Sequence, residues 1–307
     1  MHGENQENLK VQNYEQLEQF WDDFSLAYTN SISSCQSGLY CNMISMLQIE
    51  NSKNILETAI GPAFMLPHLI HRVKKGTKIT QTDLSSNFLA IAAKRIDLFL
   101  QDPYNHLYDF DIKQLPAFNG PKEYPEINVK LEKENSENLT YPDQSFDTYI
   151  SSLCLQLTSD PIKMLKEAYR VLQKGGRAAF SVWGDYEKST FFTTIAKVLK
   201  KYPNVQKSTQ RSNFHLNDKQ KLIKMAEDAG FTNILTFNLF NPMHFFRNEK
   251  DIDNFLSTGR CQQEASQAGE ENKEKVLAEA KEEIKKILFE QKQAIGMDVM
   301  VIVMDKA

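Results

Sequence analysis

At 307 residues, 41% of them hydrophobic, the chain is long enough to bury one full core, and one large domain suits it better than two. The net charge of −4 is mixed along the length, so no basic face for nucleic acid or anionic membrane is evident, and no apolar run is long enough to span a bilayer. Residues 1–12 read as a flexible, polar and acidic lead-in without signal- or transit-peptide character. The four cysteines (Cys35, Cys41, Cys154, Cys261) lack metal-ligand spacing, which points to a reducing, cytoplasmic setting and no metal.

Tyr14, Leu17, Phe20, Trp21, Phe24 and Tyr28 recur at helical spacing, and Ser37-Gly38 interrupts the pattern before Leu39 to Leu47, so residues 13–47 are predicted to hold two helices. Asn54 to Glu57 is a short apolar strand ending on a carboxylate; the chain turns at Gly61 and continues as a helix over 65–74. A second strand, 78–82, ends on Asp83 and leads into an amphipathic helix over 85–100. The connection 101–127, rich in Pro, Asn and aromatics, is long for a compact domain; it reads equally as a substrate-covering or partner-binding insertion and as a tolerated loop. Strands follow at 128–131 and 148–153, then a helix over 161–172 closed by Gly175-Gly176 and a strand over 177–183. Helices near 188–201 and 218–229, a strand over 233–240 and a helix over 251–256 come next. A charged helix over 270–291 carries an apolar seam of Val276, Leu277, Ile284, Ile287 and Leu288. Its charges read first as a solvated face and second as a docking surface for a protein partner. Residues 298–304 form the last strand.

Strand, tight turn and helix, then a second strand whose terminal acid falls about 20 residues on, open a dinucleotide-type crossover. Further on stand Asn135-Ser136-Glu137-Asn138-Leu139, then Tyr141-Pro142-Asp143-Gln144-Ser145-Phe146-Asp147, and Arg170-Val171-Leu172-Gln173-Lys174-Gly175-Gly176-Arg177. The series resembles class I S-adenosylmethionine-dependent methyltransferases, nearest the type 11 branch that includes the ubiquinone and menaquinone biosynthesis enzymes. The resemblance spans residues 19–182, 214–231 and the last strand.

That resemblance implies a Rossmann-like α/β fold: a seven-stranded, mostly parallel sheet with the last strand antiparallel. One domain over 13–307 would carry an N-terminal helical cap (13–47), the 101–127 insertion and C-terminal cap helices (241–292). The implied cofactor is S-adenosylmethionine. Glu57 would hold its ammonium end, Gly61 would let the backbone pass close, and Asp83 would take the ribose hydroxyls while Leu84 packs on the adenine. Asn135 and Ser136 would meet the adenine edge, Asn135 through its amide oxygen, and Ser152 the methionine moiety. Ala59 and Ala63 stand where the family carries glycines, a strain wherever φ must be positive, and Pro62 removes a backbone donor. In relatives an aromatic pair such as Trp21 and Tyr28 lines the cleft; the plainer reading is an apolar stripe packed on the sheet.

No catalytic base stands out. Tyr28, Gln156 and His244 are the candidate substrate contacts, whereas His68, His71 and His215 read as structural or exposed. The expected activity is methyl transfer to a small-molecule acceptor. The rival from another class is a degenerate, non-catalytic subunit of a protein complex, docking through 101–127 or 270–291; a protein methyltransferase is the third reading. An enzyme requires an open pocket bounded by Glu57, Gly61, Asp83, Asn135 and Ser152, with Tyr28 on its rim. A scaffold could fill that volume with Phe64 or Met65.

Overall fold

The computed structural model describes residues 13–31, 33–102, 115–203, 205, 211–244 and 246–307; the lead-in over 1–12 and residues 103–114 of the insertion lie outside them. The frame is a sheet of eight strands: β1 (Asn54–Thr58), β2 (Lys78–Asp83), β3 (Lys122–Tyr124), β4 (Val129–Lys133), β5 (Phe146–Ser152), β6 (Leu172–Trp183), β7 (Thr232–His244) and β8 (Ile295–Asp305). Their order is β3-β4-β2-β1-β5-β6-β8-β7. β4, β2, β1, β5 and β6 run parallel, while β8 is antiparallel to both its neighbours. The expected seven strands become eight because the insertion adds β3, antiparallel to β4 at the edge. Three residues, Lys-Glu-Tyr, are too few for a periodic signal; Tyr124 alone of them is buried, its hydroxyl donating to the Ala93 carbonyl at 3.1 Å.

Parallel strands buried on both faces read as unbroken apolar runs, and adjacent residues then serve opposite layers. Ile55 joins the larger apolar cluster and Leu56 the smaller; Ile150 and Tyr149, Ala179 and Phe180, Val301 and Ile302 divide the same way. Helices α5 (Pro161–Val171) and α7 (Lys219–Asp228) cover the smaller cluster. The larger is covered by α2 (Ser37–Leu47), α3 (Leu66–Ile70), α4 (Ser86–Gln101), α6 (Thr190–Leu199), α8 (Glu249–Leu256) and α10 (Glu270–Lys285).

Several elements differ from expectation. Ser37-Gly38 opens α2 instead of breaking a helix, the break being a 3-10 turn over 33–36. Leu39, Met43 and Ile44 of α2 are fully buried, so this helix packs in the core and touches the cleft through Tyr40, while α1 (Tyr14–Ser31) lies over it. The helix after the first strand is a single turn, because residues 60–65 are spent in a tight turn before it. Val171 ends α5, and Gly175-Gly176 forms a kink inside β6. Gly175 takes φ +75°, and a Cβ on Gly176 would lie 2.9 Å from the Gln173 carbonyl oxygen. Residues 241–244 belong to β7, not to a cap, and α9 (Gly259–Ala265) has no counterpart in the sequence reading. The charged helix stops at Lys285 with a π-turn beyond. Part of its charge is used internally, Lys281 pairing with Asp253 at 2.7 Å and Lys285 with Glu249 at 3.2 Å.

Candidate active site

A cleft of about 420 Å³ opens at the carboxyl ends of β1, β2 and β5, where open α/β sheets hold ligands. Glu57, Ala59, Gly61, Asp83, Leu84, Asn135, Ser136 and Ser152 all line it, as do Tyr28 and Gln156. Phe64 and Met65 do not: Phe64 packs under the Arg95 guanidinium at 3.6 Å, and Met65 is buried in the core.

The turn after β1 is built from three left-handed residues, Ala59 (φ +54°), Gly61 (+53°) and Ala63 (+57°). It is held against β2 by two bonds: the Ile60 amide donates to the Thr82 carbonyl at 3.1 Å, and the Gly61 amide to Asp83 Oδ2 at 2.8 Å. Asp83 Oδ1 accepts from the Ser85 amide at 2.9 Å, so this carboxylate fixes the turn and the start of α4 together. The strain at both alanines is therefore real, about 1–2 kcal/mol each for L-residues in this region.

Two acids at the strand ends are buried without a cation. Glu57 is 3% exposed, receives the Gln81 amide at 2.6 Å, and has no lysine or arginine at ion-pair distance among the described residues. Burial drives its carboxyl up to about 7, with Asp83 adding to the rise and the Gln81 bond opposing it. Burial likewise raises Asp83 to about 6, against the pull of the amides of Ser85, Gly61 and Leu84. Such a site favours a ligand bringing positive charge to Glu57 and hydroxyl donors to Asp83. Asn135 departs from its expected part: its amide oxygen already accepts from the Glu137 amide at 2.9 Å, so one lone pair and the NH2 group remain for a ligand.

α1 roofs the cleft. Asp22 accepts from Ser85 Oγ at 2.5 Å and from the Asn87 amide at 3.1 Å, placing a carboxylate on the N-terminus of α4. Lys133 pairs with Glu18 at 2.5 Å. Below, Trp21 and Tyr28 meet Phe88 at centroid distances of 6.1 and 5.6 Å. Burial raises the Tyr28 hydroxyl well above its ordinary range, so it stays protonated as a donor.

The other end of the cleft is lined by Gln156, Trp183, Phe192, Arg211, Arg260 and Met297. Gln156 is 1% exposed; its Nε2 donates to the Leu153 carbonyl at 2.7 Å, and its Oε1 has no partner. Leu153 holds φ +55°, with its amide on Ser181. His215 sits behind, its ring Nε2 on the Gln156 carbonyl at 3.0 Å. Burial lowers its pKa to about 4, so it is neutral and positions the loop. His244 lies on β7 opposite Ile295, and its side chain is outside the described residues. Cys154 lines the cleft but burial pushes its thiol up to about 12, which leaves it unreactive. Among the described residues, no group of three His, Cys, Asp or Glu could hold a metal ion. Trp183, Phe192, Arg211 and Arg260 escaped the sequence reading as site residues. They come from four separate segments, and only the aromatic and cationic residue types themselves offered a signal.

A sequence model of the methyltransferase domain family matches residues 56–180, and one of the ubiE/COQ5 methyltransferase family matches 120–241. The demethylmenaquinone methyltransferase of Listeria welshimeri is 24% identical over 202 residues, covering 61% of this chain and 73% of that protein. Among solved structures, phosphoethanolamine N-methyltransferase 2 of Haemonchus contortus, in complex with S-adenosyl-L-methionine, superposes with a TM-score of 0.55 at 14% identity. That match covers 94% of this chain but only 60% of the other. The cyclase SpnF superposes with a TM-score of 0.54 at 15% identity, over 97% of this chain and 98% of its own. At these identities the structural likeness shows the fold.

Proposed function

This chain belongs to the class I S-adenosylmethionine-dependent methyltransferases, and from that premise we propose that it transfers a methyl group from S-adenosylmethionine to a small-molecule acceptor. The observation that carries the reading is Glu57, a carboxylate buried at the end of β1, facing an open cleft, with no cation of its own. The residues present fit the cofactor. Glu57 would take the ammonium group and Asp83 the ribose hydroxyls. Gly61 would let the backbone approach, since even a Cβ there would meet nothing nearer than the Phe88 and Tyr28 rings at 3.8 Å. Leu84, Asn135 and Ser136 would border the adenine, Ser152 the methionine chain, and Ala59 the turn beside it.

When bound, the cofactor would supply an electrophilic methyl on a sulfonium, open to in-line attack by an acceptor lone pair with the neutral thioether as leaving group. The protein's part is position and dryness, worth up to roughly 7–11 kcal/mol together. Trp21 and Tyr28 under the α1 roof exclude water from the cofactor side, and Tyr28 offers a ring edge or hydroxyl toward the reacting centre. Gln156 Oε1 accepts the O–H or N–H of the nucleophile and so orients its lone pair. The Trp183 and Phe192 rings, tilted 33° to each other with centroids 4.5 Å apart, form an aromatic wall that suits a ring-bearing acceptor. The Listeria relative, named for demethylmenaquinone, points to the same kind of molecule. The open cleft weighs against the scaffold reading, which would leave Glu57 buried beside it without a cation for no purpose.

Isothermal titration of S-adenosylmethionine into wild type and Glu57→Gln tests the assignment. Losing one partner of a charged hydrogen bond costs about 1.5–3 kcal/mol, so Glu57→Gln should bind at least tenfold more weakly. Equal affinity in both proteins removes Glu57 from the site, and absence of binding by the wild type removes the function.

A further inference from the structure

We propose that the acceptor carries a carboxylate beside a flat ring, and that Arg260 is the residue that selects it; this rests on the methyltransferase reading of the same cleft. Charge is divided along the cleft: Glu57 and Asp83 lie at the strand ends, and Arg260 lies at the aromatic end. Arg260 comes from the first turn of α9 and is packed among the rings of Phe191, Phe192 and Phe255, at 4.9, 5.4 and 5.5 Å. It donates to the Phe191 carbonyl at 3.1 Å. The same guanidinium meets Cys261 Sγ at 3.7 Å and forms a loose ion pair with Glu264 at 3.6 Å, longer than a hydrogen bond, and that carboxyl is itself held above the usual range by burial. A guanidinium carries five N–H donors in a planar fork, and with one on the Phe191 carbonyl and only long contacts to Cys261 and Glu264, this one retains N–H groups for a ligand in the cleft.

The other cation of the cleft among the described residues, Arg211, is committed: it donates to the carbonyls of Gln156, Thr158 and Ser159. Arg260 is therefore the side chain equipped to receive an anion there. The Trp183–Phe192 wall beside it receives a ring, and Gln156 Oε1, buried and without a partner, receives a hydroxyl or amine proton of the same molecule. A bidentate guanidinium–carboxylate pair in a half-buried, ring-walled site discriminates strongly against a neutral analogue, because that analogue leaves the N–H groups unpaired.

The test titrates 2-naphthoate and its neutral isostere 2-naphthamide, by calorimetry, into the full chain saturated with S-adenosylhomocysteine. Wild type should bind the acid at least tenfold more tightly than the amide. Arg260→Met should abolish that preference and leave amide binding unchanged; Arg260→Lys, which keeps the charge but loses the fork, should retain only part of it. S-adenosylhomocysteine affinity, measured first for each variant, should stay at the wild-type value and so reports an intact cleft. Equal binding of acid and amide by wild type, no binding of the acid, or a preference that survives Arg260→Met overturns the proposal. If wild type fails to bind S-adenosylhomocysteine, the methyltransferase reading falls instead, and the acid–amide comparison without it still decides the role of Arg260.

Discussion

Ala59 and Ala63 hold left-handed backbone at φ +54° and +57°, and replacing them by glycine should have unequal effects. Releasing an L-residue from this region is worth about 1–2 kcal/mol, while glycine's freer unfolded chain takes back about 0.5–1 kcal/mol. Ala59 is half-buried and loses little packing, so Ala59→Gly should stabilise the unliganded protein by about 0.5–1 kcal/mol. Ala63 is 3% exposed within the larger apolar cluster, and removing its methyl forfeits a further ~0.8 kcal/mol, which brings Ala63→Gly close to neutral. Unfolding entropy of ~2.1 cal/mol/K per residue gives about 0.6 kcal/mol/K over 307 residues, so Ala59→Gly should raise Tm by about 1–1.5 °C. The reverse change, Gly61→Ala, meets only ordinary contacts at 3.8 Å and should lower Tm by a similar amount through φ alone. Differential scanning calorimetry resolves shifts of this size. A fall in Tm for Ala59→Gly, or an unchanged Tm with cofactor affinity raised tenfold, would show that the turn is relaxed around alanine or that its strain is released on binding.

Glu57 has a folded pKa of about 7 against 4.5 unfolded, so its contribution to stability is fully present below 4.5 and is lost as pH rises through 7; the Glu57 contribution to apo stability should drop by about 3 kcal/mol across that window, read as the difference between the wild-type and Glu57→Gln pH profiles. Chemical denaturation of Glu57→Gln should show most of this dependence gone, and an unchanged pH profile would count against the burial argument. Asp83→Ala removes the acceptor of the Gly61 amide in the turn and of the Ser85 amide at the start of α4 as well as a ligand contact, so thermal melts should register a loss of about 2–4 kcal/mol even without cofactor. Asp22→Ala detaches α1 from the start of α4; hydrogen exchange should quicken over 14–31 while the amides of β1 keep their protection. Gly176→Ala places a methyl 2.9–3.0 Å from two carbonyl oxygens, and a destabilisation below about 1 kcal/mol in urea titrations would mean that the β6 kink is more yielding than its contacts imply.

The strand ends and the turn between them were legible in the sequence because their logic is local. Short strands closed by Glu57 and Asp83 place each acid at a carboxyl edge of a parallel sheet, and Gly61 marks where the backbone must turn. The same residues line the cleft because neighbouring parallel strands carry successive crossovers to one edge. Periodicity reports which positions are buried but not against what. Hence α2, with a stripe like that of α1, goes into the core while α1 roofs the cleft, a choice made by Asp22 meeting Ser85 and Asn87 some 63–65 residues away. Nor does a sequence print φ: that Ala59 and Ala63 are both left-handed follows from the bonds that draw the turn onto β2. The acceptor end lay furthest from local reach. Gln156, Trp183, Phe192 and Arg260 meet only when α6 and α9 pack over the sheet at the ends of β5 and β6, and the freedom of Arg260 to bind an anion depends on where Glu264 and Arg211 come to rest.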